Sequence, residues 1–444
     1  MPQPVPAAPP EILQKSWELL LPFAGQSSPV VTDVNGDGSG DVVLGTGIYR
    51  PDGRNCALVA LDGRSGRRLW QVPLPGDGFA TPLPFQVNSD GIPDLIMAGR
   101  FPDVLAVDGR RGEVLWQLSR ANPGWLPGPM NFNTAVALPD RDGDGHRDLL
   151  LVQGGAHPDT RVIPGRLFVV SGRDGRILHE RAGPDGGELY GVPAVVRAGG
   201  LLAVTGSGGE RLGGHLMAVE LDGLRERWRV PATGKGFVAS PLVHSMPDGP
   251  RVVAVSFGGR VFSVVAATGR VVWSRSYPGY ETYASPAWQA ESAGGSLYVA
   301  LSRGVWPSYD QAMLVRLDAA TGAEQARFPA GRFISSSPIL ADADGDGHPE
   351  VVLLSNDGFQ PDAKVGAGLH ILRGRDLQSV HSLSLKGFSA ATPLVTVRRP
   401  GEQPVLVAAW WGRVALFHLP RARPGPRLWH AYRGPWGNGS DFPL

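Results

Sequence analysis

A small residue followed by proline opens one apolar run after another along this chain. The step recurs at Ser28-Pro29, Thr81-Pro82, Val192-Pro193, Ser240-Pro241, Ser285-Pro286, Ser337-Pro338 and Thr392-Pro393, and Thr134-Ala135 fills the same slot without the proline. The eight units are spaced by 45 to 58 residues. Self-similarity at such a period restricts the fold to a repeat architecture. Within the first unit, short β-rich segments at 29–32, 41–45, 57–62 and 68–72 alternate with turn residues, which is the layout of a four-stranded antiparallel blade. Proline is tolerated at the head of a strand, where its missing N–H falls at the end of the ladder.

A blade that is apolar on both faces must stack on neighbours. A closed ring meets that need and leaves only short edges, whereas an open solenoid needs polar capping units. The expected fold is therefore all-β, an eight-bladed β-propeller, with seven blades as the alternative. Ring closure requires one terminus to complete the last blade. Ser16-Trp17-Glu18-Leu19 repeats the fourth-strand pattern of Leu69-Trp70-Gln71-Val72, so residues 13–22 are expected to close blade eight, with Arg427-Leu428-Trp429-His430 as the competing strand. The domain organisation that follows is a Pro/Ala-rich stub at 1–12, one propeller at 13–433, and a tail at 434–444.

Composition narrows function mainly by exclusion. Gly (61) and Pro (41) serve the many turns, and 42 basic against 41 acidic residues give no patch suited to nucleic acid. No apolar run is long enough for a membrane span, and Met1 to Pro10 lacks the n- and h-regions of a signal peptide. A lone cysteine, Cys56, rules out an intrachain disulfide. A monomer is expected.

The third-to-fourth-strand turns resemble the PQQ-like propeller repeat, with its Ala-x-Asp-x-x-x-Gly-x-x-x-Trp spacing. Ala60, Asp62, Gly66 and Trp70 match in full, as do Ala106, Asp108, Gly112 and Trp116; later blades keep Trp228, Gly269, Trp273 and Gly322, and His179 takes the Trp place in blade three. The resemblance implies that these indoles dock between blades. PQQ-dependent dehydrogenases also carry an adjacent-cysteine disulfide, which a single cysteine cannot form. The segment 429–440 resembles stretches flanking bacterial PQQ-like repeats, which implies a bacterial source.

The first-to-second-strand turns resemble the FG-GAP repeat of integrin-α-like propellers, whose Asp-x-Asp-x-Asp-Gly-x-x-Asp loop binds calcium. Three loops match: Asp33, Asn35, Asp37, Ser39 and Asp41; Asp140, Asp142, Asp144, His146 and Asp148; and Asp342, Asp344, Asp346, His348 and Glu350. Hard Ca²⁺ takes six to eight oxygens, and alternate side chains plus the position-7 carbonyl (Ser39, His146, His348) would supply them. About three Ca²⁺ sites of structural role are expected. A fourth loop, with Asn88, Asp90 and Asp94, has Gln86 at its first position and should bind weakly. Such sites suit an extracytoplasmic protein.

The loops on the opposite face are long and aromatic. Tyr49, Trp125, Tyr190, Tyr283, Trp306, Tyr309, Phe359 and Trp411 are the candidate ligand-contacting residues, because long loops on a rigid frame carry function. An aromatic also precedes every opening slot: Phe23, Phe79, Phe132, Tyr190, Phe237, Tyr283, Phe333 and Phe388. These read as a packing plug at the channel mouth or, alternatively, as a stacking platform for a sugar or peptide. Asp185 and Glu188 sit in a Gly-rich turn and are expected to be solvated. The histidines lack zinc spacing, and no nucleophile elbow or phosphate loop is present. The expected function is a calcium-binding scaffold or binding module for a protein or glycan partner, with a calcium-dependent polysaccharide lyase or a PQQ-type quinoprotein as the alternative.

Overall fold

The computed structural model describes residues 11–21, 27–47, 55–120, 131–155, 163–183, 185–291, 294–359, 364–422, 429–434 and 439. These residues form eight antiparallel sheets and no helix. Blade one runs Val30–Thr32, Asp41–Thr46, Ala57–Leu61 and Arg68–Pro73 from its first strand to its fourth, and the order repeats around the ring. Blade six departs slightly: Tyr280–Glu281 and Ala287–Gln289 both pair with Ser296–Val305, giving five strands.

Blade eight settles how the ring closes. Its first three strands, Leu394–Thr396, Val405–Trp410 and Arg413–His418, are completed by the N-terminal strand Gln14–Leu20, paired antiparallel from Gln14 opposite His418 to Leu20 opposite Arg413. Eight blades, not seven, are present, and the N-terminal segment wins the fourth-strand position.

Second and third strands are mostly buried, along their whole length in Asp41–Thr46 and Ala57–Leu61, because neighbouring blades cover both their faces. Outer strands such as Glu324–Pro329 alternate between half-buried and exposed residues. The core therefore lies between blades. Val42, Leu44, Val59 and Leu61 of blade one, for example, pack with Val405, Val407, Val414 and Leu416 of blade eight.

The repeated Trp and Gly are two halves of one interblade contact. Trp70 Nε1 donates to Gly109 O of blade two at 2.7 Å, and the same bond joins Trp17 to Gly63 O, Trp116 to Gly172 O, Trp228 to Ala266 O and Trp273 to Ala319 O. Each indole covers a turn glycine of the next blade so closely that a Cβ there would lie 2.5 to 2.9 Å from a ring atom: Gly66 under Trp17, Gly112 under Trp70, Gly175 under Trp116, Gly269 under Trp228 and Gly322 under Trp273. Where the Trp place holds His179 or Ala326, the equivalent turn residue of the following blade is Leu224 or Leu377, both buried and both still at positive φ. A large side chain on one blade thus goes with glycine on the next, and a smaller one with leucine.

Small hydroxyl residues at the opening slots bind the blades at the inner rim. The backbone N–H of one slot donates to the side-chain oxygen of the next blade's slot: Thr81 to Thr134, Val192 to Ser240, Ser240 to Ser285, Ser285 to Ser337, Ser337 to Thr392, and Thr392 to Ser28, all at 2.9 to 3.1 Å. These six contacts form a belt that crosses the seam between blades eight and one.

The segment that lost the fourth-strand position enters the axis. Trp429 O accepts from Leu340 N at 2.7 Å and His430 O from Val395 N at 3.0 Å, on the inner strands of blades seven and eight. The buried Arg433 guanidinium donates to Pro193 O, and Gly439 O accepts from Val243 N at 2.6 Å. The inner strands have one free edge each, and the tail meets four of the blades there.

Candidate functional sites on the two faces

The first-to-second-strand loops and the third-to-fourth-strand turns share one face. The position-9 acid opens the second strand of its blade and is buried: Asp41, Asp94, Asp148 and Glu350 are at most 1% exposed. In blade one it ties the two turns together, since Asp41 accepts from Val34 N (3.2 Å) and Gly63 N (3.1 Å). Asp94 and Asp148 do the same through Gly109 N and Gly172 N. The position-1 acid curls the loop: Asp33, Asp140 and Asp342 each accept from two glycine amides within their loops. The Ser39, His146 and His348 amides donate to Asp37, Asp144 and Asp346.

Two of the three loops converge their acids. Oxygens of Asp140, Asp142 and Asp148, and of Asp342, Asp344 and Glu350, lie within 4.8 Å of one another. In blade seven Glu350 Oε1 is buried without a hydrogen-bond partner among the described residues. Burial, with the carboxylates of Asp344 and Asp346 adding to it, pushes the Glu350 carboxyl up to about 8. An orphaned buried oxygen between like charges is the environment a divalent cation would relieve, so these residues fit Ca²⁺. Blade one is less acidic. Asn35 Nδ2 points at Asp41 Oδ1 (3.4 Å), and Arg64 and Arg399 lie 3.8 Å from Asp37. Burial raises Asp41 to about 6. Blade two keeps the curl through Asn88, Asp90 and Asp94 but has Gln86 in place of the first acid.

The second-to-third-strand loops and the blade-to-blade connections form the other face. Five candidates meet there: Tyr309 packs with Phe333 and Phe388, and Tyr283, Phe359 and Trp411 pack against them, while Trp306 stands edge-on to Phe359 with centroids 6.0 Å apart. Strands Ser296–Val305 and Ser308–Asp318, the longest among the described residues, carry Val305 and Trp306 to a hairpin tip where they are 65% and 47% exposed. The hairpin is pinned by a group that sequence inspection missed. Glu281, 4% exposed, accepts from Tyr309 Oη (2.6 Å) and Trp306 N (3.2 Å) and pairs with Lys235. Nothing in a lone Glu of blade six advertises a Lys of blade five.

Tyr190 lies apart from that patch, on an axial funnel of about 250 Å³ that Tyr283, Phe79 and Arg100 also line. Tyr49 and Trp125, like Phe23, fall outside the described residues. The eight-aromatic series therefore splits. Phe132, Phe237, Phe333 and Phe388 are buried packing residues, whereas Phe79, Tyr190 and Tyr283 line the funnel, and the plug on the axis is the tail. Asp185 and Glu188 correct the expectation of solvation. The Asp185 side chain is 8% exposed, bonded to Ser207 Oγ and 3.1 Å from His215 Nδ1, and Glu188, 5% exposed, accepts from Tyr190 Oη at 3.1 Å. The loop folds back onto blade four, which a Gly-rich string does not reveal.

Ring, indole staples and axial tail define the class: an eight-bladed β-propeller with interblade tryptophan docking. The family profile described as FAM234A/B beta-propeller matches residues 53–189. Protein FAM234B of Homo sapiens is 32% identical over 181 residues, which is 38% of this chain and 27% of that protein. The chain thus spans about a quarter of the length of this curated relative, which is vertebrate and lends no support to a bacterial source. Among solved structures, a europium-containing methanol dehydrogenase superposes with a TM-score of 0.64 at 12% identity, covering 92% of this chain and 93% of its own. A quinohemoprotein alcohol dehydrogenase from Comamonas testosteroni reaches 0.61 at 10% identity, over 93% and 77%. At such identities the likeness is one of fold.

Proposed function

We propose that this chain is a non-catalytic binding module that holds a protein or glycan partner on its loop-rich face, with Ca²⁺ at the loops of blades three and seven, and more weakly at blade one, stiffening the opposite face. The observation that carries the reading is the meeting of Tyr283, Trp306, Tyr309, Phe359 and Trp411 from three blades in one patch with an exposed apolar tip. One large exposed aromatic, Trp306, over a base of packed and half-buried rings is what a binding hot spot needs. Loops of this kind in extracellular modules bind Ca²⁺ at ~10⁻⁴–10⁻³ M, which favours an extracytoplasmic setting where the ion is that abundant.

The enzyme readings draw less support. PQQ is a tricarboxylate quinone, and the funnel places one cation, Arg100, already 3.2 Å from Asp77, alongside the carboxylate of Glu210. The axis below is filled by Trp429 to Gly434, and Cys56 is buried within blades one and two. These residues do not fit the quinone. A calcium-assisted lyase would need its ion at the cleft, whereas the acidic loops lie on the face away from the funnel.

A partner screen on glycan arrays and cell-surface proteins, with the Trp306→Ala/Val305→Ser variant beside Asp140→Asn, tests the reading. Loss of the captured ligand with the first and retention with the second is the expected result. Retention with the first overturns the assignment of the face.

A further inference from the structure

We infer that the axial funnel is a blind pocket for one neutral sugar ring at the end of a glycan chain. This rests on the binding-module reading and names a ligand class for its loop-rich face. Shape is the first constraint. Tyr432 of the tail forms the floor, its Oη 3.3 Å from Ser240 Oγ, and the tail backbone is tied to blades seven and eight. A ligand must enter and leave by one mouth, so a chain end fits and a threaded chain does not. The volume, about 250 Å³, is below the ~300–1,000 Å³ of pockets that take drug-sized molecules. One ring fits.

Chemistry selects the ring. The six hydroxyl oxygens that accept amides in the inner belt, those of Ser28, Thr134, Ser240, Ser285, Ser337 and Thr392, all line the funnel. A hydroxyl that accepts an N–H still has its own proton to donate, so the five other than Ser240, whose Oγ meets Tyr432, offer donors to one ligand. Glu210 and the side-chain amides of Asn131 and Asn133 add acceptors on the wall. Phe79, Tyr190 and Tyr283 supply apolar surface between these polar groups. Alternating donors, acceptors and rings match a polyhydroxylated ring, whose edges bear O–H groups and whose faces are C–H.

Charge excludes the rivals. Arg100 lies 5.1 Å from the Phe79 ring centroid and pairs with Asp77, so its charge is already answered, while Glu210 repels an anion. A flat heteroaromatic holds its few acceptors in one plane and would reach only part of the circle of hydroxyls, leaving the others unanswered, a loss that buried polar groups make costly.

Saturation-transfer NMR on the full chain tests this, with the methyl glycosides of glucose, mannose, galactose and N-acetylglucosamine as neutral probes and methyl glucuronide as the anionic one. Transfer to at least one neutral glycoside is expected, weakened at least about tenfold (~1.4 kcal/mol) by Tyr283→Ala or Tyr190→Ala and kept by Tyr283→Phe, which guards against a folding defect. Silence from every neutral probe, tighter binding of the glucuronide, or indifference to both tyrosine-to-alanine changes overturns the inference. If Trp306→Ala removes partner capture while the funnel stays silent, the sugar inference falls and the binding-module reading stands. If the funnel binds a neutral glycoside while Trp306→Ala leaves partner capture intact, the sugar pocket stands and the aromatic patch loses its role.

Discussion

Thr392 of blade eight donates its backbone N–H to the side-chain oxygen of Ser28 in blade one at 3.0 Å, across 364 residues of chain. Closure therefore rests on more than the N-terminal strand. Five of the six belt contacts are buried, and a buried amide that loses its acceptor costs ~1–3 kcal/mol. Ser337→Ala removes the acceptor of Ser285 N and should lower the unfolding free energy by about that amount in urea titration. Ser337→Thr should cost little, because Thr134 and Thr392 already serve in the same slot.

The indole–glycine contact predicts a coupled pair. Gly175 has φ +75°, and a Cβ there would lie 2.7 Å from Trp116 Cε3. Gly175→Ala combines backbone strain with overpacking and should destabilise by ~2–4 kcal/mol. Since His179 goes with Leu224 in this same ring, Trp116→His with Gly175→Leu should be less unstable than the sum of its single changes, by roughly 1 kcal/mol or more in a double-mutant cycle. Strict additivity would show that the Trp–Gly pairing carries no energetic coupling.

Calcium should act as a stabilising ligand. For sites with Kd of ~10⁻⁴–10⁻³ M, about 1 mM free ion adds about 0.4–1.4 kcal/mol each. Melting with Ca²⁺ and with EDTA should separate the two curves, and Glu350→Gln should remove the share owed to blade seven, where Glu350, Asp342 and Asp344 converge. Curves that coincide with and without the ion would remove calcium from the molecule's stability.

His244 should make the fold acid-sensitive. It is wholly buried against Trp288, and burial drives its imidazole down to about 4 from the ordinary 6.5. A depressed histidine stabilises the native state in its neutral form above about pH 6.5, and that contribution is lost as pH falls toward 4. The shift corresponds to about 3 kcal/mol. The stability of His244→Phe minus that of the native chain should rise by up to this amount between about pH 7 and pH 4. A difference that stays level with pH would place the acid limb elsewhere.

Much of the molecule was legible one residue at a time. The opening slots, the four short strands per unit, the Trp17 pattern and the Asp-Gly loops are all spacings along the chain. A spacing dictates local structure directly, because strand alternation and turn geometry are set within a few residues. For that reason the blade number, the closing strand and the curled acidic loops could be read from sequence, and so could the Trp docking that the repeat implied.

What only the tertiary structure decided involves distances between blades. Ser28 meets Thr392, Glu281 meets Lys235, and Tyr283 joins Trp306, Phe359 and Trp411 because closing the ring fixes where each loop stands. The burial of Asp185 and the route of Trp429 to Gly434 along the axis follow from the same constraint. Inner strands leave one edge free toward a narrow channel, and a nearby segment that supplies carbonyls there satisfies amides that would otherwise be unpaired. No local pattern encodes that open edge; it exists only once eight blades have met.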